Sequence, residues 1–281
     1  MQRLAFSTLG CPDWSFEEII ENAAAYGFSA IEIRGIKDEL RTEKISAFLP
    51  ENMDATNKLL KDNNLFISNV GTSVNFHDPS NYSAAIDEGK NAIDTCKRAG
   101  IPAIRVFGDA IPPGEDAAVI IRRVADGIRD LCNYSADHTG GAVSIWQEIH
   151  GDFNTPDVLL PLVGYLSDVP LYGILWDIEH TFRVGTDPVA FYNEFKHLIR
   201  HTHIKDCIVE DGKLIVKLPG EGALPIKKHY NLLENGGYEG LYSFEWEKRW
   251  KPDIPEPEIA FKQYIREMEK CINKSRKIII H

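Results

Sequence analysis

Eight short runs rich in β-branched and aromatic residues alternate with eight amphipathic helical patterns along 281 residues, and the last four runs each end in a cluster of acids or histidines. Together these observations predict one (β/α)8 barrel over residues 1–281, because parallel strands closed into a barrel gather their C-terminal ends around one centre. The competing architecture is an open doubly wound sheet. It would spread the strand ends along an edge and leave the four clusters without a common focus.

Residues 4–9 read as the first strand, followed by Gly10-Cys11-Pro12-Asp13 and a helix beginning near Ser15. Ser15 with Glu18 three residues on is a capping-box pattern, in which each side chain satisfies the other's backbone N–H. Tyr26-Gly27 stops that helix and residues 30–34 begin a second strand. Further strands are predicted at 65–70, 103–107, 143–146, 171–176, 199–204 and 241–244. Helices are predicted at 52–62, 82–99, 116–135, 156–167, 188–197, 226–234 and, after the eighth strand, 256–272. Ala99-Gly100 and Asn235-Gly236-Gly237 supply C-terminal stops.

The formal charge of −11, from 42 acidic against 31 basic residues, disfavours a nucleic-acid partner. The five cysteines form no C-x-x-C pair and are expected to be reduced thiols. No secretory leader pattern and no apolar run of membrane-spanning length is present, so a cytoplasmic protein without a membrane partner is expected. No G-x-G-x-x-G follows the first strand and no Walker lysine loop occurs, which leaves dinucleotide and P-loop readings without support.

The four clusters are Glu148-Ile149-His150, Asp177-Ile178-Glu179-His180, His203-Ile204-Lys205-Asp206 and Glu245-Trp246-Glu247. The intervals between them each hold one strand, one helix and two loops. Carboxylates brought together this way repel by about 3 kcal/mol per pair at roughly 5 Å and an effective dielectric of about 20. A divalent cation would turn that penalty into binding.

Ser7-Thr8-Leu9-Gly10, Ile31-Glu32-Ile33-Arg34-Gly35, Glu148-Ile149-His150, Trp176-Asp177-Ile178-Glu179-His180, His203-Ile204-Lys205-Asp206, Gly220-Glu221-Gly222 and Phe244-Glu245 occur in one order over nearly the full length. In this order and spacing the chain resembles the sugar phosphate isomerase/epimerase superfamily, the xylose isomerase-like TIM barrels that include ketose 3-epimerases and endonuclease IV. The resemblance implies one metal ion held by Glu148, Asp177, His203 and Glu245. It gives His180 either a substrate or a metal contact. The multi-metal endonuclease arrangement needs additional early histidines, whereas only His77 precedes residue 138.

Three carboxylates and one imidazole suit Mn²⁺, Mg²⁺ or Co²⁺, with Zn²⁺ also compatible. Adjacent oxygens of a ketose would complete the shell, so that the ion polarises the carbonyl and stabilises an enediolate. Glu148 and Glu245, on opposite sides of the sugar, would take and return the proton, giving a sugar or sugar phosphate isomerase or epimerase. The same residues could expel a β-hydroxyl, as in a dehydratase of inosose or dehydroshikimate. A noncatalytic sugar-binding barrel is disfavoured by the complete ligand set, and an abasic-site endonuclease by the acidic charge. The expected partner is a small carbohydrate.

Other polar residues carry two readings each. His150 is a substrate contact or a backbone-bonded loop histidine, and His201, on the period-two face of His203, is foremost a satisfied core histidine. Lys205 is assigned to substrate, with a rim pairing, shared by Asp206, as the alternative. Arg34 either faces the pocket or pairs with Glu32. Glu221 is a substrate contact in a tight Gly-Glu-Gly loop or part of a surface turn. Trp14, Trp246 and Trp250 are a wall for the sugar ring or ordinary core. Lys248-Arg249 are candidate phosphate contacts.

Overall fold

Strands β1 (Leu4–Ser7), β2 (Ala30–Ile33), β3 (Phe66–Asn75), β4 (Ala103–Phe107), β5 (Ser144–Glu148), β6 (Tyr172–Asp177) and β7 (Ile199–Ile204) follow one another in the chain, then β8 (Asp206–Glu210), β9 (Lys213–Lys217) and β10 (Tyr242–Phe244). In this computed structural model, which describes residues 3–278, β1 to β7 and β10 close into an eight-stranded barrel in chain order, every pairing parallel. Around it lie α1 (Phe16–Tyr26), α2 (Met53–Asp62), α3 (Tyr82–Ala99), α4 (Ala117–Thr139), α5 (Pro156–Tyr165), α6 (Ile178–Arg183), α7 (Pro188–Phe195), α8 (Ile226–Asn235) and α9 (Pro257–Ile278). The chain is therefore a (β/α)8 barrel.

Burial on both faces explains the composition of the strands. In β1, β2 and β6 every residue is buried, since one face fills the barrel and the other meets a helix. The outer layer includes Phe6, Phe28, Phe244, Phe261 and Tyr264, whose rings stack or meet edge to face. The capping box forms as the sequence predicts: Glu18 N–H donates to Ser15 Oγ, and Ser15 N–H donates to Glu18 at 2.7 Å. Gly27 and Gly100 end their helices with φ of +86° and +66°. All five cysteines are buried, and no disulfide joins them. Among the described residues no helix is long and apolar enough to cross a membrane.

The sequence reading departs from the structure at four places. The first strand stops at Ser7, where the hydroxyl accepts from Leu9 N–H and starts a 3-10 turn. β3 continues through the small and polar stretch up to Asn75, tied to β4 by the Thr72 hydroxyl donating to Arg105 O. Helix α6 begins immediately after Asp177, whose carboxylate accepts from the N–H groups of Glu179 and His180. The β8–β9 hairpin turns at Asp211-Gly212, with φ of +49° and +73°. That is the Asp-Gly signature of a two-residue hairpin, present in the sequence but not drawn on.

Asp206 organises the chain after β7. Its carboxylate accepts from the N–H groups of Cys207, Gly220, Gly222 and Leu224 at 2.9 to 3.0 Å, folding the Gly-Glu-Gly segment against the barrel. Gly222 is required there because a Cβ would lie 2.1 Å from Asp206 Oδ1. Asp206→Ala is expected to lower the unfolding free energy by about 3–5 kcal/mol, since several N–H groups lose their acceptor at once. Urea denaturation measures this, and a loss below about 1 kcal/mol would show that the loop is organised by other contacts.

Candidate metal centre

Strand register places the four predicted ligands together. Glu148 and Asp177 are the last residues of β5 and β6, His203 is the penultimate residue of β7, and Glu245 directly follows β10. Asp177 stands opposite His203 across the β6–β7 ladder, and Ser243 stands opposite His203 across β7–β10. All four side chains are buried, and each offers a ligand atom within 4.8 Å of the others. His203 Nδ1 lies 3.7 Å from Glu148 Oε1, 3.8 Å from Asp177 Oδ2 and 3.4 Å from Glu245 Oε1. His203 Nδ1, Glu148 Oε2 and Asp177 Oδ2 are buried without a hydrogen-bond partner. A buried imidazole nitrogen without a hydrogen-bond partner, facing Glu148 Oε1, Asp177 Oδ2 and Glu245 Oε1, fits a divalent cation.

Beneath the cluster, Glu32 reaches across the barrel from β2. Its Oε2 is 2.9 Å from His203 Nε2, 3.2 Å from His201 Nε2 and 3.2 Å from the Ser243 hydroxyl. A proton on His203 Nε2, donated to Glu32, leaves the Nδ1 lone pair directed at the carboxylates, the arrangement by which an outer carboxylate orients a histidine ligand. Burial alone would raise the Glu32 pKa, but His203 and His201 outweigh it and hold the carboxyl well below its usual range. His201 is thus the satisfied core histidine the sequence suggests. The sequence reading named Glu32 only as an alternative partner of Arg34 and missed its contact with His203, although an acid in the otherwise apolar β2 was the available signal.

Two buried cations balance the acids. Lys205 Nζ lies 2.8 Å from Asp177, 2.7 Å from Glu245 and 3.0 Å from Glu247, and Arg105 Nε lies 2.9 Å from Glu148. Burial would raise the pKa values of Asp177 and Glu245, but Lys205 and His203 oppose it and keep both carboxylates ionised. Arg105, in the middle of β4, went unnoticed in the sequence because it is surrounded by apolar neighbours that read only as strand.

The cluster opens into a cavity of ≈ 110 Å³ lined by Leu9, Arg34, Arg105, Phe107, His150, His180, Glu247 and Trp250 as well as Glu148, Lys205 and Glu245. His150 Nδ1 pairs with Asp109 at 3.0 Å, and its ring lies 4.6 Å from that of His180. Burial lowers the pKa of His180 to about 4, so its imidazole is neutral at physiological pH. Arg34 faces this cavity and does not pair with Glu32, which the two histidines occupy.

Other predicted contacts lie elsewhere. Glu221 is exposed and outside the cavity, because the glycines beside it serve Asp206. Lys248 Nζ donates to Pro252 O and Ile254 O and pairs with Glu256, while Arg249 donates to Lys37 O. Trp246 is core against Phe244, Trp14 packs on Phe261, and only Trp250 reaches the cavity. A larger hollow of ≈ 580 Å³ beside α1 and α2 touches none of the four clustered residues.

Residues 20–271 match the family described as xylose isomerase-like TIM barrel, and the chain belongs to it. The inosose dehydratase of Clostridium beijerinckii is 26% identical over 162 residues, covering 51% of this chain and 53% of that protein. The chain thus spans about half the length of the curated relatives it matches. Among solved structures, a probable 3-DHS dehydratase from Bacillus anthracis involved in petrobactin synthesis shares the fold with a TM-score of 0.77 at 17% identity, over 96% of this chain and 99% of that one. The IolI protein, solved with a zinc atom, gives a TM-score of 0.78 at 17% identity, over 97% and 99%.

Mn²⁺ titrated into chelator-treated protein is expected to bind one ion per chain and to raise the melting temperature. Asp177→Asn or His203→Ala should abolish that binding. Glu32→Gln should weaken it by about 10–100-fold through loss of the histidine's orientation. Calorimetric titration measures both, and an unchanged affinity in Glu32→Gln would remove Glu32 from the centre.

Proposed function

We propose that this chain is a divalent-metal-dependent enzyme that removes the proton next to the carbonyl of a small polyhydroxylated ketone and then expels the β-hydroxyl as water. The observation that carries the reading is the convergence of Glu148, Asp177, His203 and Glu245, with both glutamates lining one cavity. Elimination is placed first because the inosose dehydratase named above is a curated relative. A divalent ion held by these residues would supply Lewis acidity that makes the adjacent C–H acidic. The zinc of the IolI structure adds Zn²⁺ to Mn²⁺, Mg²⁺ and Co²⁺ as ions to test.

The protein's own groups divide the remaining work. Glu148 or Glu245 takes the proton from carbon. Lys205 and His203 hold Glu245 in the ionised form a base requires, at some expense of basicity, and Arg105 pairs with Glu148. As the double bond forms, the departing hydroxide needs a proton. His150, backed by Asp109, stands at the cavity wall to supply it. Neutral His180 can also donate to a substrate oxygen without adding charge.

A second reading, epimerisation or isomerisation of a ketose or ketose phosphate, is favoured by the same pair of glutamates. If one removes the proton and the other returns it from the opposite side, the carbon inverts.

Both readings share proton exchange at carbon. Metal-loaded protein in D₂O with a panel of ketoses, ketose phosphates, inososes and 3-dehydroshikimate is expected to give a dehydrated enone, followed by NMR. A deuterated, undehydrated ketose would select the second reading. Glu148→Gln and Glu245→Gln should each slow exchange by about 10²–10⁴-fold. Full activity in both variants, or no exchange with any candidate despite bound metal, would sink the proposal.

A further inference from the structure

The cations at the cluster are matched to acids, with one exception. Arg105 pairs with Glu148, and Lys205 with Asp177, Glu245 and Glu247. Arg34, directly after β2, lines the same cavity at 7% exposure. Its Nη2 donates to the Ser73 hydroxyl at 2.9 Å, and its Nη1 is buried with no partner. Among the described residues no carboxylate lies within ion-pair distance of this guanidinium. Burial and the neighbouring Arg105 push its pKa down to about 10, which leaves it charged at neutral pH. Gly71 makes the juxtaposition possible, since a Cβ there would lie 2.8 Å from Arg105 Nη2 and 2.9 Å from Arg34 Cδ.

A buried, charged guanidinium with no ion-pair partner and one nitrogen without a hydrogen bond is costly unless something anionic completes it. We infer that Arg34 receives an anionic oxygen group of the substrate, and that the substrate is a polyhydroxylated ketone carrying a carboxylate. This rests on the reading of the cavity as a keto-polyol site. A carboxylate fits better than a phosphate for three reasons on the structure. Arg34 Nη1 has neither a hydrogen bond nor an ion pair, whereas Arg105 Nε is 2.9 Å from Glu148, Lys205 is enclosed by three carboxylates, and Lys248 and Arg249 donate to carbonyl oxygens and Glu256 away from the cavity. One planar guanidinium matches one planar carboxylate, whereas a phosphate calls for donors on several sides.

The test is equilibrium binding to metal-loaded protein, by calorimetry, of 3-dehydroshikimate, its methyl ester, an inosose and inorganic phosphate. Wild type is expected to bind the acid at least about tenfold more tightly than the ester. Arg34→Gln should lose about 10–100-fold for the acid and leave the ester unchanged, and Arg34→Lys should restore part of the preference. Thermal unfolding within a few degrees of wild type shows that each variant folds. Equal binding of acid and ester by wild type, or equal weakening of both in Arg34→Gln, would overturn the inference. So would phosphate binding more tightly than the acid in an Arg34-dependent way. An acid preference without turnover would count against the elimination chemistry and leave Arg34's role standing. Dehydration of inosose, acid and ester alike would keep the chemistry and remove the role.

Discussion

The barrel confines Glu148, Asp177, Glu179 and Glu245 at one end, all buried, with Glu32 buried below them. Like charges at such spacing repel by a few kcal/mol per pair even at an effective dielectric of about 20, and each has also lost its water. Neighbouring features of the mouth answer to this constraint. Arg105 is threaded through the interior from β4, Lys205 turns inward from the end of β7, and the first turn of α6 donates two backbone N–H groups to Asp177. These contacts hold the acids in place without satisfying every oxygen. His203 Nδ1 is left without a hydrogen-bond partner, facing one oxygen each of Glu148, Asp177 and Glu245.

The closed parallel architecture makes that concentration possible. Eight strand ends meet around one axis, so residues far apart in sequence become neighbours without a long loop. The register is what converts proximity into geometry. Asp177 faces His203 directly, and Glu32, one layer below, reaches both β7 histidines and Ser243 of β10. A slip of one residue in β7 would turn both His201 and His203 out of the barrel and take the imidazole from the cluster and the partners from Glu32 together.

Much of this was legible in the sequence because the signals are local. Apolar runs, glycine stops and the Ser15 capping box give the element order, and polar groups at four successive strand ends mark the mouth. Less was legible where a side chain's meaning depends on what faces it across the barrel. Glu32 and Arg105 sit inside strands whose pattern is apolar, so nothing nearby announces that one orients a histidine and the other neutralises a glutamate. Glu221 shows the reverse. Its Gly-Glu-Gly setting looks like a binding loop, yet the glycines are explained by close approach to Asp206, and the glutamate between them is left in solvent. The β8–β9 hairpin did have a local signature at Asp211-Gly212, obscured because a parallel barrel calls for a helix at that point.

The charges at the mouth divide into two groups by strand. On β5, β6, β7 and just after β10 stand the acids and His203, with Lys205 among them. From β2 and β4 come Arg34 and Arg105, side by side above Gly71. A small substrate in this cavity therefore meets acids on one side and guanidinium groups on the other. On the reading proposed here, the first side would hold the ion and move the proton, while the second would fix which end of the substrate lies away from it. Arg105 belongs partly to each, since it neutralises Glu148 and repels Arg34. That repulsion is unfavourable in the protein alone and is relieved when an anion lies against Arg34. Cavity polarity and the unpaired Nη1 thus point the same way, toward a substrate whose own charge completes the site.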